Sequence, residues 1–142
     1  MSRPPSYGAP ITLAEAARVM AAAQAEAERY DWPMAIAVVG SGGHLVMLHA
    51  LDDVQHASVP VAQAKAQTAV NFRRPSKLFE DAVRDGGLGL RLLGMDNLLP
   101  LDGGLPLYKD GKVIGAIGVS GMQSTQDAQV AAAGAAVFNG AM

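Results

Sequence analysis

Two pairs of short apolar runs, each joined by a tight glycine-bearing link, constrain the fold of this chain more than any other feature. Met34–Val39 is apolar and partly β-branched, Gly40-Ser41-Gly42-Gly43 follows it, and His44–His49 is apolar between its two histidines. Further on, Leu105–Lys109 and Lys112–Ser120 flank Asp110-Gly111. That dipeptide suits a type I′ turn, whose central residues both need positive φ. Runs linked this closely pair antiparallel, because a parallel partner needs a long crossover.

Helical signals surround the hairpins. Thr12-Leu13-Ala14-Glu15 has capping-box spacing, and the Ala-, Glu- and Gln-rich stretch to Tyr30 is built of good helix formers. Pro33 stops it. Pro60 is placed to open a helix through Phe72, Arg74-Pro75 interrupts it, and Ser76 is placed to cap a short helix to about Arg84, closed by Gly86-Gly87. Leu88–Leu101 has no clean period, and one more strand is expected near Leu99. Ser124-Thr125-Gln126-Asp127 again has capping-box spacing before a last helix to about Phe138. The expected fold is a single α+β domain over residues 12–142, with a mainly antiparallel sheet of about five strands flanked by helices. Residues 1–11, with three prolines, read as a flexible or extended arm.

Length and composition narrow the function. A chain of 142 residues that is 50% hydrophobic and 17% charged is a globular domain rather than a disordered one. Only 5% is aromatic, so the core rests on small side chains and association between copies would supplement it. The net charge of −2 and the absence of any basic cluster larger than Arg73-Arg74 argue against nucleic acid. No cysteine is present, which removes disulfides, thiolate metal sites and covalent haem attachment. No run reaches the length of a membrane span, and the first ten residues do not resemble a signal peptide, so a cytoplasmic location is expected.

The glycine segments lack the spacing and the strand–glycine–helix context of a Rossmann turn or P-loop. Asp102-Gly103-Gly104-Leu105-Pro106 is more informative: with Gly121–Ser124 it would gather free amides and a helix N-terminus able to receive an anion, or form two structural turns. His44, His49 and His56 are the only histidines. Positions 44 and 49 face opposite sides of a regular strand, so no paired metal site follows, although any one imidazole could be an axial haem ligand. Lys65 shares a helix face with Val61, Thr68 and Phe72. An ammonium on an apolar stripe requires a partner: Asp52 or Asp53 in a structural reading, a ligand carboxylate in a functional one.

Several stretches in order resemble the GlcG/HbpS-like family, which includes the C-terminal domain of PduO-type proteins. They are Leu13-x-x-Ala16, Ala37-Val38-Val39 with Gly43-His44-Leu45, Ala62-x-Ala64-Lys65-Ala66-x-Thr68-Ala69, and Gly103-Gly104-Leu105-Pro106-Leu107. Asp110-Gly111-x-Val113-Ile114-Gly115 through Gly121 and Gln126-Asp127 complete the set. The resemblance implies a profilin- or roadblock-like layout, homo-oligomers (tetramer or octamer), and roles in haem binding or small-molecule catabolism. Relatives often carry an acidic residue where Gly40 stands and an Arg-x-Asp-like segment where His49-Ala50-Leu51-Asp52 stands, so a different ligand is expected at that hairpin.

Three functions follow as expectations. The first is binding of a small molecule or haem by an oligomeric module, with Lys65, Thr68, Gly103, Gly104 and His49 as ligand-binding residues and His44, His49 or His56 as a haem ligand. The second is a lyase or isomerase acting on a carboxylate-bearing metabolite through Lys65, a histidine and the Gly103-Gly104 amides. The third is an accessory subunit without chemistry of its own.

Overall fold

The computed structural model describes residues 3–140; the outermost residues of the expected arm and domain, 1–2 and 141–142, lie outside the described residues. The elements run α1 (Leu13–Arg29), β1 (Ala35–Gly40), β2 (Leu45–Ala50), α2 (Ser58–Phe72), α3 (Lys77–Asp85), a 3-10 helix (Gly87–Gly94), β3 (Gly104–Lys109), β4 (Lys112–Ser120) and α4 (Ser124–Asn139). The strands form one antiparallel sheet in the order β2-β1-β4-β3. Four strands are present among the described residues, not five. The segment around Leu99 cannot add a strand because its backbone is already committed: Leu99 N donates to Thr68 Oγ1 at 2.9 Å, and Leu99 O accepts from Leu101 N at 2.9 Å.

Both hairpins form where the sequence places them. Asp110 and Gly111 take φ of 53° and 75°, as a type I′ turn requires. The Thr12–Glu15 capping box is closed in both directions. The second box is shifted by one residue, with Gln123 and Gln126 as its members. Ser76 does not cap α3 with its side chain, which faces the sheet instead.

Helices α1 and α4 pack together on one sheet face and α2 covers the other. Ile36, Val38, Ile117 and Val119 point to the first layer, while Ala37, Val39 and Ala116 point to the second. Alternation along each strand produces this division. The approach of α2 depends on Gly104 and Gly118, which are register partners. A Cβ on either would run into the α2 backbone at Lys65 O or Ala62 O, so these glycines serve helix–sheet packing.

The arm is extended and docked over Ser6–Ile11, rather than loose. Val113 N donates to Ser6 O (2.9 Å), Gly8 N to Val113 O (2.8 Å) and Ile11 N to Ile114 O (2.8 Å). Tyr7 Oη donates to Val70 O at 2.7 Å, and Ile11 is buried. Among the described residues, no helix is long and apolar enough to cross a membrane.

Candidate functional site

The structure distributes the sequence-predicted residues over three places. Lys65, Gly103 and Gly104 meet where β4 ends and β3 begins, but Lys65 and Gly104 spend their polar groups on the chain itself. Lys65 Nζ donates to Asp127 Oδ2 and to Val119 O, both at 2.9 Å, and the lysine is only 2% exposed. Its partner is therefore Asp127 at the start of α4, not Asp52 or Asp53. The other carboxylate oxygen of Asp127 accepts from Met122 N at 2.9 Å. Burial pushes the Asp127 carboxyl above its ordinary range, and the Lys65 ammonium and the Met122 amide pull it partly back.

The Gly104 amide, expected to receive an external anion, is occupied in the same way. Gly104 N donates to Ser76 Oγ (2.9 Å), which itself donates to Leu101 O (2.6 Å). Glu80 Oε1 accepts from Asp102 N (3.3 Å) and from Ser124 Oγ (3.1 Å), so it joins the two glycine-bearing loops. Burial raises the Asp102 carboxyl, with repulsion from Glu80 adding to it. A ligand carboxylate brought here would have to displace Asp127, Glu80 or Ser76. The catalytic grouping of Lys65, a histidine and the Gly103-Gly104 amides is not assembled.

Thr68 is buried beside a small cleft of about 190 Å³ between α2 and the Asp96–Leu99 segment. Its hydroxyl is engaged at both ends, donating to Ala64 O and accepting from Leu99 N.

His49 lies elsewhere, on β2, facing α1. It lines a cleft of about 600 Å³ with Gln24, Glu28, Trp32, Leu48 and Leu51, and with Asp31, Asp52 and Asp53 at the rim. A groove of about 460 Å³ continues from it past Met20 and Met47. The His49 ring is positioned by α1: its Nδ1 lies 2.7 Å from Gln24 Oε1, while Gln24 Nε2 donates to Glu28 Oε2 at 3.4 Å. Gln24 thus presents its amide oxygen to Nδ1, and no hydrogen bond engages Nε2 among the described residues. Trp32 stacks on Tyr30 with centroids 4.6 Å apart, which stiffens one wall. All three histidines are exposed: His44 in the hairpin, His49 on the β2 edge and His56 before α2. Among the described residues, no three His, Asp or Glu side chains converge to hold a metal ion.

Sequence reasoning missed Gln24, Trp32, Glu80 and Ser76 in these roles. Only Asp127 left a usable trace, since a lysine on an apolar stripe demands a carboxylate.

Comparison with known proteins places this architecture. The family model described as "Haem degrading protein HbpS-like" matches residues 11–136. Protein GlcG of Escherichia coli strain K12 is 43% identical over 105 residues, 74% of this chain and 77% of GlcG. The crystal structure of a PduOC–haem complex superposes with a TM-score of 0.82 at 26% identity, covering 92% of this chain and 96% of that one. The crystal structure of HbpS gives 0.83 at 29% identity, covering 93% and 92%. With its family model spanning nearly the whole domain and a relative at this level of identity, the chain belongs to the HbpS-like family.

Proposed function

We propose that this protein binds haem or a closely related tetrapyrrole, with His49 as the axial ligand. The observation that carries the reading is the state of His49: one imidazole in a cleft of about 600 Å³, its Nδ1 held by Gln24 and its Nε2 free. A histidine whose second nitrogen is held in this way presents a preset ligand to iron. Likeness to a haem complex over nearly the full chain supports it further.

The donor set fits one end of a haem better than the other. Trp32 and Leu51 supply apolar wall, whereas Glu28, Asp31, Asp52 and Asp53 repel carboxylates. These carboxylates would disfavour a haem placed with its propionates at that rim. Bound haem would supply iron-centred chemistry, and what the chain supplies is an oriented imidazole and a partly dry wall. Lys65, Gly103 and Gly104 hold the scaffold behind the cleft and do not touch the ligand. Binding within a homo-oligomer and a cytoplasmic location belong to the same reading.

Haem titration tests it. His49→Ala abolishes the Soret shift, while His44→Ala and His56→Ala retain it. A shift that survives His49→Ala refutes His49 ligation.

A further inference from the structure

We infer that the open edge of β2 is an interface between two copies of this chain, paired antiparallel about a two-fold axis at His49. The inference does not rest on haem, although this edge borders the His49 cleft; it follows from the direction of backbone groups. Leu51 N donates to Met34 O at 2.9 Å, and His49 is the register partner of Ile36. Residues 49 and 51 thus spend their backbone groups on β1, and Leu48 and Ala50 aim theirs outward. β2 ends the sheet, and no side chain or backbone group among the described residues meets those of Leu48 or Ala50.

The opposite edge shows that leaving such groups open is not this fold's habit. On β3 the outward residues are Gly104, Pro106 and Tyr108, because Gly103 O is spent on Val119 N. Gly104 is held by Ser76 through both its N–H and its C=O. Asn139 donates to Pro106 O at 2.9 Å and accepts from Tyr108 N at 3.0 Å, and Pro106 has no N–H to offer. The β2 run Leu-Val-Met-Leu-His-Ala contains no proline, lysine or carboxylate, the usual guards of an edge.

A second copy fits that edge. The bulge opposite Val38/Val39 disturbs β2 only near its hairpin end, leaving Met47–Leu51 regular. Pairing centred on His49 sets Leu48 of each copy opposite Ala50 of the other and closes four hydrogen bonds without the bulge. It also sets His44, at the hairpin end, near Asp52 and Asp53 of the second copy, so the two carboxylate-bearing ends do not meet. Beside the edge, exposed Ala17, Ala21 and Ala25 of α1 line the groove with Met47. Small side chains there let the two α1 helices approach over a sheet continued through the axis.

Sedimentation of the haem-free full chain, with Leu48→Pro and His49→Cys variants, tests this. Leu48→Pro deletes an outward N–H and spares the β1 ladder. It is expected to weaken self-association on the order of tenfold or more. His49→Cys puts a sole cysteine opposite itself at a Cα separation of ~4.5 Å, within disulfide range, and should yield a covalent dimer on mild oxidation. Thr125→Cys, an exposed position on α4, is the control for random collision. A wild-type monomer overturns the inference. So does a mass unchanged by Leu48→Pro, or His49→Cys cross-linking no faster than Thr125→Cys. If Leu48→Pro fails to fold, the cross-linking comparison decides alone.

Discussion

At the β3 edge of the sheet the chain answers the outward groups of Gly104, the Pro106 carbonyl and the Tyr108 amide from its own residues, while at the β2 edge it answers none of those on Leu48 and Ala50. The β3 edge is flanked by the buried Lys65–Asp127 pair, by Ser76 and by Asn139, drawn from α2, α4 and the segment before α3. The β2 edge is flanked by a cleft, an exposed alanine stripe and a histidine with a free nitrogen. Satisfied polar groups mark where the fold is secured, and unsatisfied or accessible ones mark where it meets something else. The glycine-rich β3–β4 corner, which looks like a binding loop in sequence, is thereby a structural knot. On the proposed reading, the plain apolar run of β2 is the functional side.

The largest effect is expected from breaking the closed side at its centre. Lys65→Met keeps most of the stem and removes the ammonium, leaving Asp127 buried without its counter-charge. Loss of one partner of a buried pair costs about 3–5 kcal/mol. Thermal or denaturant melting should show this drop, while haem affinity per folded molecule stays unchanged because Lys65 does not reach the His49 cleft. Adding Asp127→Leu removes the stranded charge and should restore much of the loss. Reduced haem binding in a fully folded Lys65→Met protein would return Lys65 to the ligand site.

A smaller effect is expected at Asn139, whose amide stands in for a fifth strand beside β3. Asn139→Ala should cost about 1 kcal/mol for two half-buried hydrogen bonds that water can partly replace. Because Pro106 and Ser76 still guard the edge, the oligomeric mass should not rise. An increase in mass by sedimentation would show that Asn139 alone keeps β3 from pairing.

What the sequence discloses here is local. The two hairpins, the Asp110-Gly111 turn and the Thr12–Glu15 box each depend on residues a few positions apart, and all four formed as read. The demand of Lys65 for a partner was equally legible. Its answer, Asp127, stands 62 positions away, and proximity along the chain pointed wrongly to Asp52 and Asp53. Ser76 misled for a related reason: its spacing suits a helix cap, but the outward Gly104 amide, 28 positions on, wins its hydroxyl. Nothing in the sequence links Gln24 to His49, because an i-to-j contact between a helix face and an edge strand leaves no periodic trace. The expected fifth strand failed because an apolar segment becomes a strand only where an edge is free. Ser76 and Asn139 had already closed the one beside it.

The smallest effect is the third tie on the closed side, at the end of β3. Lys109 Nζ donates to Glu15 Oε2 at 2.7 Å, joining that strand to the capping box of α1. The Lys109 hydrogen bond, followed by the Thr12 backbone amide, holds the Glu15 carboxyl down at about 2, against an ordinary 4.5. A carboxyl depressed in the folded state releases its proton more readily there than in the unfolded chain. Its stabilisation is therefore complete above the ordinary value and is lost as pH falls from about 4.5 toward about 2. Both groups meet solvent, so the contribution is modest and screened by salt. Glu15→Gln should consequently lower the melting temperature slightly at neutral pH and flatten its fall across that acid window. The difference between the two proteins should shrink as salt is added. Parallel acid titrations of stability for wild type and variant, with identical slopes through the window, would show that the Lys109–Glu15 contact does not secure the β3 side.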